Sequence, residues 1–333
     1  MVAADDDGLH PLPDWAVSLA EAAASAGEDV RCALEIALDA GRVLPAPGRG
    51  QTALRWAVLA ALARANVTVA RVVEAHADAL AILAESGVQR PPDGTWGVFA
   101  AEAPGHKLTA KATADGGWEL SGDKPWCSLG DVLDAALVTA HTDAGRRLFR
   151  VALRQPGVQA RPAGEWVARG LRTVTSVGIG FDRVPAEPVG AVDWYLDRPG
   201  FAWGGIGVAA CWHGGALGLA DTLRERASGD LAALHVGVVD AALHASASVL
   251  RDAARAVDDG AGDGALLALR ARAVVADAVE RVLREVAHAL GPAPLAFDAR
   301  HAARVADLEL YLRQHHAERD LATLGTAVLG DGQ

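Results

Sequence analysis

Two tryptophans and a serine lie close together in one short stretch, which reads Gly117-Trp118-Glu119-Leu120-Ser121-Gly122-Asp123-Lys124-Pro125-Trp126-Cys127-Ser128. An aromatic face is a suitable wall for a planar ring system, and the hydroxyl of Ser128 would add a polar contact beside it. Trp118 and Trp126 could instead fill the core of a small β-sheet, and composition alone favours that interpretation. The stretch therefore predicts either a wall for a flat ligand or part of a β core.

A second group able to do chemistry is the pair Glu74 and Asp78, four residues apart in a helical pattern. Residues at this spacing share one helix face, whereas His76 points elsewhere. A carboxylate pair could transfer protons. A solvated helix face is the commoner cause of such a pair, and the sequence favours it here.

His315 and His316 are adjacent near the end of the chain. Val305, Leu308 and Leu312 form a helical stripe, and His315 extends that stripe towards the interior. His316 lies about 100° round the helix, so the pair is a poor chelating unit. His315 is therefore a candidate proton acceptor, with two ordinary interfacial histidines as the alternative, and no metal site is predicted.

Two glycine-rich segments resemble ligand loops only superficially. Gly204-Gly205-Ile206-Gly207 lacks the apolar strand that precedes a phosphate loop, so we expect it to let a helix begin close to its neighbours. Residues 258–264 have the wrong spacing for an EF-hand, and a turn between helices explains them.

Composition narrows the possible partners and compartments. The 333 residues are 51% hydrophobic, with mean hydropathy +0.16, net charge −11 and a pI near 5.4. The acidic balance argues against a nucleic-acid or anionic-membrane partner. Cys32, Cys127 and Cys211 are far apart, which indicates a reducing compartment. No apolar run approaches the ~20 residues of a membrane span, and the first fourteen residues are unlike a signal peptide, so we expect a cytoplasmic protein.

The elements that must position these residues fall into three segments: 1–94, 95–192 and 193–333. The first is helical, with a helix beginning at Gln51 or Thr52. The second contains many short strand patterns broken by Gly, Pro and Asp turns, which predicts an antiparallel sandwich or barrel. The third returns to long amphipathic helices with short loops, which predicts an antiparallel bundle.

This order of segments comes with a family resemblance. The chain resembles a compact acyl-CoA dehydrogenase over most of its length. The family has a Thr-Glu-Pro-Gly pattern where this chain has Ala101-Glu102-Ala103-Pro104-Gly105. The strongest match is to Gly-x-x-Leu-x-Gly-x-Lys-x-Trp-x-Thr/Ser, and the matching residues are Gly117, Leu120, Gly122, Lys124, Trp126 and Ser128.

The resemblance implies an α+β fold with an N-terminal helical domain, a middle antiparallel β-barrel or sandwich and a C-terminal four-helix bundle. It also implies FAD as cofactor. In the family, the residue matching Trp126 packs beside the flavin ring and the one matching Ser128 hydrogen-bonds to its reactive edge. Phe99, Ala101 and Glu102 would line the same face from a neighbouring strand.

Several positions depart from the family pattern. Ala101 stands in place of a threonine whose hydroxyl meets the flavin. The loop that holds the adenine half of FAD across a subunit interface is shortened around Arg226, and the segment that meets the pyrophosphate begins at His288. Arg226, His235 and His288 are candidate phosphate contacts, with plain surface positions as the alternative.

The family's catalytic glutamate is absent. Alignment of the last bundle helix places His315 at that position, and the family's alternative glutamate falls near Val208, where no neighbouring residue in the sequence is acidic. An imidazole could take a proton above its ordinary pKa near 6.5.

Three functions are compatible with these features. The favoured one is an FAD-dependent oxidoreductase acting on an acyl thioester, such as acyl-CoA, or on a related small apolar substrate. A flavin monooxygenase on the same scaffold is the second. A non-catalytic subunit that completes the FAD site of a partner is the third. We expect a homodimer or homotetramer, with a heteromer as the alternative.

Overall fold

The computed structural model describes residues 8–87 and 93–330, so the first seven residues of the acidic N-terminal segment lie outside it. The chain begins with four helices: α1 (Asp14–Ser25), α2 (Val30–Val43), α3 (Thr52–Ala65) and α4 (Val67–Glu85). Helix α3 starts at Thr52, as predicted. Side chains of Asp29 and Asn66 accept hydrogen bonds from first-turn amides and so cap α2 and α4.

Helix α3 takes its cap from a distant part of the chain. The carboxylate of Asp258 accepts hydrogen bonds from the amides of Gly50 and Thr52, at 2.9 and 3.0 Å, and from the hydroxyl of Thr52 at 2.5 Å. Gln51, the residue just before the helix, makes no such bond with its own side chain. The carboxylate at the end of α7 (Asp230–Asp258) therefore serves as the cap of α3.

Seven strands form the middle of the molecule: β1 (Trp96–Phe99), β2 (Leu108–Ala112), β3 (Trp118–Ser128), β4 (Ala135–Thr142), β5 (Gly145–Ala152), β6 (Val158–Ala160) and β7 (Ser176–Val189). The sheet order is β1-β4-β2-β3-β7-β5, and pairing of β4 with β5 closes it into a barrel. The predicted barrel is confirmed, with one correction. Strands β1 and β2 run parallel to β4, because crossover loops rather than tight hairpins join β1 to β2 and β3 to β4.

The remaining helices are α5 (Trp194–Asp197), α6 (Pro199–Arg226), α7 (Asp230–Asp258), α8 (Gly264–Leu290), α9 (Ala293–Phe297), α10 (Ala299–Leu312) and α11 (Glu318–Gly330). Helices α6, α7, α8 and α10 make the predicted bundle. Helix α6 corrects the expectation of amphipathic helices, since most of its residues from Ile206 to Leu223 are buried on all sides. It packs against α3 and α4 as well as α8, so the N-terminal helices and the bundle share one core.

Helix α7 is, among the described residues, the one helix whose length and composition would allow it to cross a membrane. A third of its most apolar window is buried against the rest of the molecule. Core helices pass the same test, and Val239, Leu243 and Leu250 of α7 belong to the main core.

Candidate functional site

A cavity of about 1330 Å³ opens where the three parts of the chain meet. Its walls come from α4, the ends of β1 and β3, the start of α6, the α7–α8 turn and the connection between α10 and α11. Clefts of this size, lined by apolar and aromatic groups with a few polar ones, are the usual form of small-molecule sites. The cavity is therefore the candidate site.

Trp126 forms part of one wall because β3 is irregular at that point. Its pairing with β7 shifts register between Lys124 and Cys127, and Trp126 adopts a left-handed backbone with φ 58°. The bulge turns the indole out of the sheet, and the residue is 58% exposed. Trp118 instead packs on Phe149, with ring centroids 5.4 Å apart. Trp118 therefore packs in the β core, whereas the indole of Trp126 faces the cavity. The position of Trp126 corrects the preference for core packing at that residue.

Ser128 lies beside Trp126 on the same wall, two residues further along β3. Its hydroxyl is 2.8 Å from that of Ser176 on β7, and both serines line the cavity. Two hydroxyls in contact provide a donor and an acceptor next to an exposed aromatic face. This wall can therefore hold a flat molecule that has polar atoms on one edge.

Ala101 and Glu102 line the cavity just after β1, as expected. Glu102 lies 3.3 Å from Nε of Arg146 and 3.0 Å from Nε2 of His141. The prediction that Phe99 lines this face is wrong, because Phe99 is 1% exposed and belongs to the core. Side chains alternate along a strand, so Val98 lines the cavity and Phe99 faces the other way.

Arg226, His235 and His288 lie away from the cavity. Arg226 lies eighteen positions after Val208, which is on the cavity wall, and this corresponds to about 27 Å along α6. Arg226 forms an ion pair with Asp298. His235 lies 2.7 Å from a carboxylate oxygen of Glu285, and its ring centroid is 6.3 Å from that of His288. Phosphate contacts by these residues would need a site shared between subunits, and their role stays a prediction.

His315 lies behind the cavity wall. Helix α10 ends at Leu312, so the expectation that His315 continues its stripe needs correction, although the residue is buried as expected at 8% exposure. Its ring stands edge-on to Trp212, with centroids 6.4 Å apart, and its Nε2 is 3.9 Å from Asp320. Burial lowers the pKa of His315. His316, its neighbour, lines the cavity instead.

Glu74 and Asp78 lie on the cavity wall, which corrects the prediction of a solvated helix face. Glu74 is 7% exposed, and its Oε2 accepts hydrogen bonds from Arg71 at 2.7 Å and from the hydroxyl of Tyr311 at 3.2 Å. Burial raises the pKa of both carboxyl groups. The two carboxylates therefore belong to the site rather than to the surface.

The sequence of α4 contains a signal for this placement. Positions 71, 74 and 78 are the polar stripe of α4, whose other faces carry mostly Val, Ala, Leu and Ile. A helix that is apolar on most sides is buried. A polar stripe on such a helix must then face another polar group or a cavity.

Comparison with known proteins supports the architecture. No family model matches the sequence, and no curated protein does. Butyryl-CoA dehydrogenase from Megasphaera elsdenii has a TM-score of 0.78 at 16% identity, over 96% of this chain and 99% of its own. TdsC from Paenibacillus sp. A11-2, solved with FMN and indole, has a TM-score of 0.79 at 17% identity, over 96% of each chain.

A third similar structure is KijD3, solved with FMN and dTDP-3-amino-2,3,6-trideoxy-4-keto-3-methyl-D-glucose. It has a TM-score of 0.76 at 20% identity, over 95% of this chain and 92% of its own. At these identities the similarity is one of fold. The chain therefore has the acyl-CoA dehydrogenase fold over nearly its whole length, as the sequence predicts.

Proposed function

We propose that this chain is a flavin-dependent oxidoreductase that acts on a small molecule in the cavity. The observation that carries the proposal is the exposed indole of Trp126, which the bulge in β3 turns into the cavity beside the Ser128–Ser176 hydroxyl pair. An aromatic face inside a cavity, with polar groups beside it, is suited to stack on a planar ligand. The presence of FMN in the solved structures of TdsC and KijD3 gives further support.

The residues of this wall fit a flavin. Trp126 offers a flat face to a ring system, and the paired hydroxyls of Ser128 and Ser176 offer a donor and an acceptor at its edge. A flavin supplies hydride and electron transfer, and the protein tunes it through such contacts. Val98 and the core around Phe99 back this side of the cavity with apolar atoms, which would exclude water from the ring.

Whether the flavin is FAD or FMN is a separate part of the proposal. The resemblance implies FAD, with Arg226, His235 and His288 meeting its phosphates across an interface. Arg226 and His235 are already paired with Asp298 and Glu285. Those carboxylates would weaken phosphate binding, so FMN is the alternative. Chromatography and mass spectrometry of the flavin released on denaturation separate the two.

The proposed reaction follows the same resemblance. Dehydrogenation of an acyl thioester removes a proton and a hydride from neighbouring carbons, and His315 is the predicted proton acceptor. A flavin monooxygenase is the second candidate, because no carboxylate stands at the position of the family's glutamate and TdsC is a dibenzothiophene monooxygenase.

The test of the proposal is whether the purified protein is yellow and releases a flavin on denaturation. Trp126→Ala should weaken flavin retention, because it removes a stacking wall worth about 0.5–1.5 kcal/mol beyond its burial. Phe297→Ala is the matched control, since Phe297 is an exposed aromatic residue outside the cavity, and it should retain flavin like the parent. A colourless protein that also fails to bind added FAD or FMN would contradict the proposal and favour the non-catalytic subunit.

The role of His315 has its own test. If His315 accepts the proton, His315→Ala should lower the rate at which a substrate reduces the bound flavin by roughly 10²–10⁴, with the flavin still bound. His244→Ala changes an exposed histidine of α7 outside the cavity, so it is the control and should leave the rate unchanged. A rate equal to that of the parent would assign His315 to packing against Trp212.

A further inference from the structure

Asp78 is the one side chain of the α4 polar stripe without a protein partner. Glu74 is held through Oε2 by Arg71 and Tyr311, whereas no donor among the described residues reaches hydrogen-bonding distance of the Asp78 carboxyl group. Asp78 is half-buried and lines the cavity, so its carboxyl group is open to a molecule bound there. A ligand that displaces water from this carboxyl group without donating to it would leave it unpaired, which costs free energy.

The start of α6 is shaped around this carboxyl group. Gly204 lies in the first turns of α6, and a Cβ added there would come within 2.8 Å of Oδ1 of Asp78. The same addition at Gly205 would meet Arg272 no closer than 3.6 Å. Glycine at position 204 therefore leaves room for the Asp78 carboxyl group. This gives the Gly204-Gly205 motif a role although it is not a phosphate loop.

The charges around Asp78 select the kind of partner. Arg55, Arg71 and Arg198 act on it electrostatically, as do the carboxylates of Glu74 and Glu85. Three arginines face three carboxylates when Asp78 is ionised, and Arg272, which lines the same cavity and acts on Glu74, adds a fourth positive charge. An ammonium ion would add a further positive charge to this cluster. An uncharged hydrogen-bond donor would satisfy the carboxylate and leave the balance unchanged.

We propose that Asp78 determines substrate choice by accepting a hydrogen bond from an uncharged O–H or N–H group of the substrate. The cavity then favours a neutral molecule that bears a hydroxyl or N–H group over a plain acyl chain or an ammonium ion. An apolar group placed against Asp78 would leave the carboxylate unpaired, and a site built to pair strongly rejects ligands that lack the matching group. The inference rests on the proposed function, in that the cavity beside Trp126 is taken as the substrate site.

The test uses three probes of nearly equal size: benzyl alcohol, benzyl methyl ether and benzylamine. Their affinities for the purified protein, with the flavin it carries, are measured by titration calorimetry at pH 8. Benzyl alcohol should bind about tenfold to a hundredfold more tightly than the ether, which is the range for hydrogen bonds to a charged acceptor. It should also bind more tightly than benzylamine, which is cationic at this pH.

Variants assign the preference to Asp78. Asp78→Ala should reduce the ratio of alcohol to ether affinities to about one, and Asp78→Asn, which keeps a neutral acceptor, should retain part of it. Asp143→Asn changes an exposed carboxylate outside the cavity and should bind like the parent. If Asp78→Ala does not fold, Gly204→Ala should still lower the ratio by pressing on the carboxyl group, whereas Gly205→Ala should not.

Three outcomes would overturn the inference: equal binding of alcohol and ether by the parent, an unchanged ratio in Asp78→Ala and Gly204→Ala, or tighter binding of benzylamine. Each of these is distinct from failure of the proposed function. A protein that binds no flavin contradicts the function, whereas a flavin-loaded protein that does not separate the alcohol from the ether contradicts the role of Asp78 alone.

Discussion

Lys124 is a buried cation within the barrel. It is 3% exposed and reaches from β3 to β4, where Nζ donates to the carbonyl oxygen of Thr139 at 2.9 Å and to its hydroxyl at 2.8 Å. Both partners are uncharged. Burial, followed by the charge of Arg146, lowers the pKa of Lys124 to about 8.

This shift predicts a pH dependence of stability. Between the folded pKa of about 8 and the ordinary value of 10.5, the unfolded chain binds more protons than the folded one, so the free energy of unfolding rises with pH. Below about pH 8, Lys124 contributes no such rise in the free energy of unfolding with pH. Urea unfolding at pH 7.5 and pH 10 should show a larger rise for the parent than for Lys124→Met. Lys107→Met, a change at an exposed lysine, should keep the slope of the parent. Equal slopes for parent and Lys124→Met would contradict the shift.

The bulge in β3 has an energetic cost that can be separated from the role of the indole. Trp126 has φ 58°, a conformation in which an L-residue loses about 1–2 kcal/mol and glycine loses little. Trp126→Gly and Trp126→Ala should both bind flavin poorly. The free energy of unfolding in urea should nevertheless be about 1 kcal/mol higher for Trp126→Gly than for Trp126→Ala. Equal stabilities would mean that the backbone relaxes when the indole is removed.

Helix α6 depends on close approach to α3. A Cβ at Gly214 would overlap the backbone carbonyl of Ala60, which cannot move without distorting α3. Gly214→Ala should therefore lower the free energy of unfolding by about 3 kcal/mol or more. Gly237→Ala is the matched control in α7, where an added Cβ meets nothing, and it should stabilise the protein by roughly 0.5–1 kcal/mol. Thermal and urea unfolding of both variants test the prediction, which fails if Gly214→Ala is as stable as the parent.

Patterns along the chain are sufficient to predict the order of the helices and strands, the start of α3 at Thr52 and the motif that contains Trp126. They are not sufficient to predict what covers each face. Periodicity places Glu74 and Asp78 on one side of α4, but only tertiary packing shows that this side meets a cavity. Periodicity also does not determine which face each residue of a short strand occupies, so the sequence prediction for Phe99 places it on the wrong face. No glycine or proline separates Leu312 from His315, so the end of α10 gave no signal.

At the scale of the molecule, we propose that the chain assembles with itself. Helices α7 and α11 expose apolar side chains, including Leu231, Leu234, Leu321, Val328 and Leu329. None of the residues of α11 is buried, although the helix lies along α8. An amphipathic surface of this kind is typical of an interface.

Light scattering at micromolar concentration should give the mass of a dimer or tetramer. Leu234→Glu, which places a charge on the exposed face of α7, should shift the mass towards the monomer, and Leu196→Glu should not, because Leu196 is exposed at the cavity mouth instead. A parent protein that is a stable monomer would contradict the proposed assembly.

The carboxylate of Asp258 that caps α3 also affects how the protein is made. Thr52 leaves the ribosome 206 residues before its partner, a delay on the order of 10–40 s at ordinary rates of translation. Until Asp258 arrives, the first-turn amides of α3 have only water as a partner, and the face that packs on α6 stays uncovered. The start of α3 is therefore capped only after Asp258 has emerged, and the growing chain must remain protected from aggregation until the helices that cover α3 are in place.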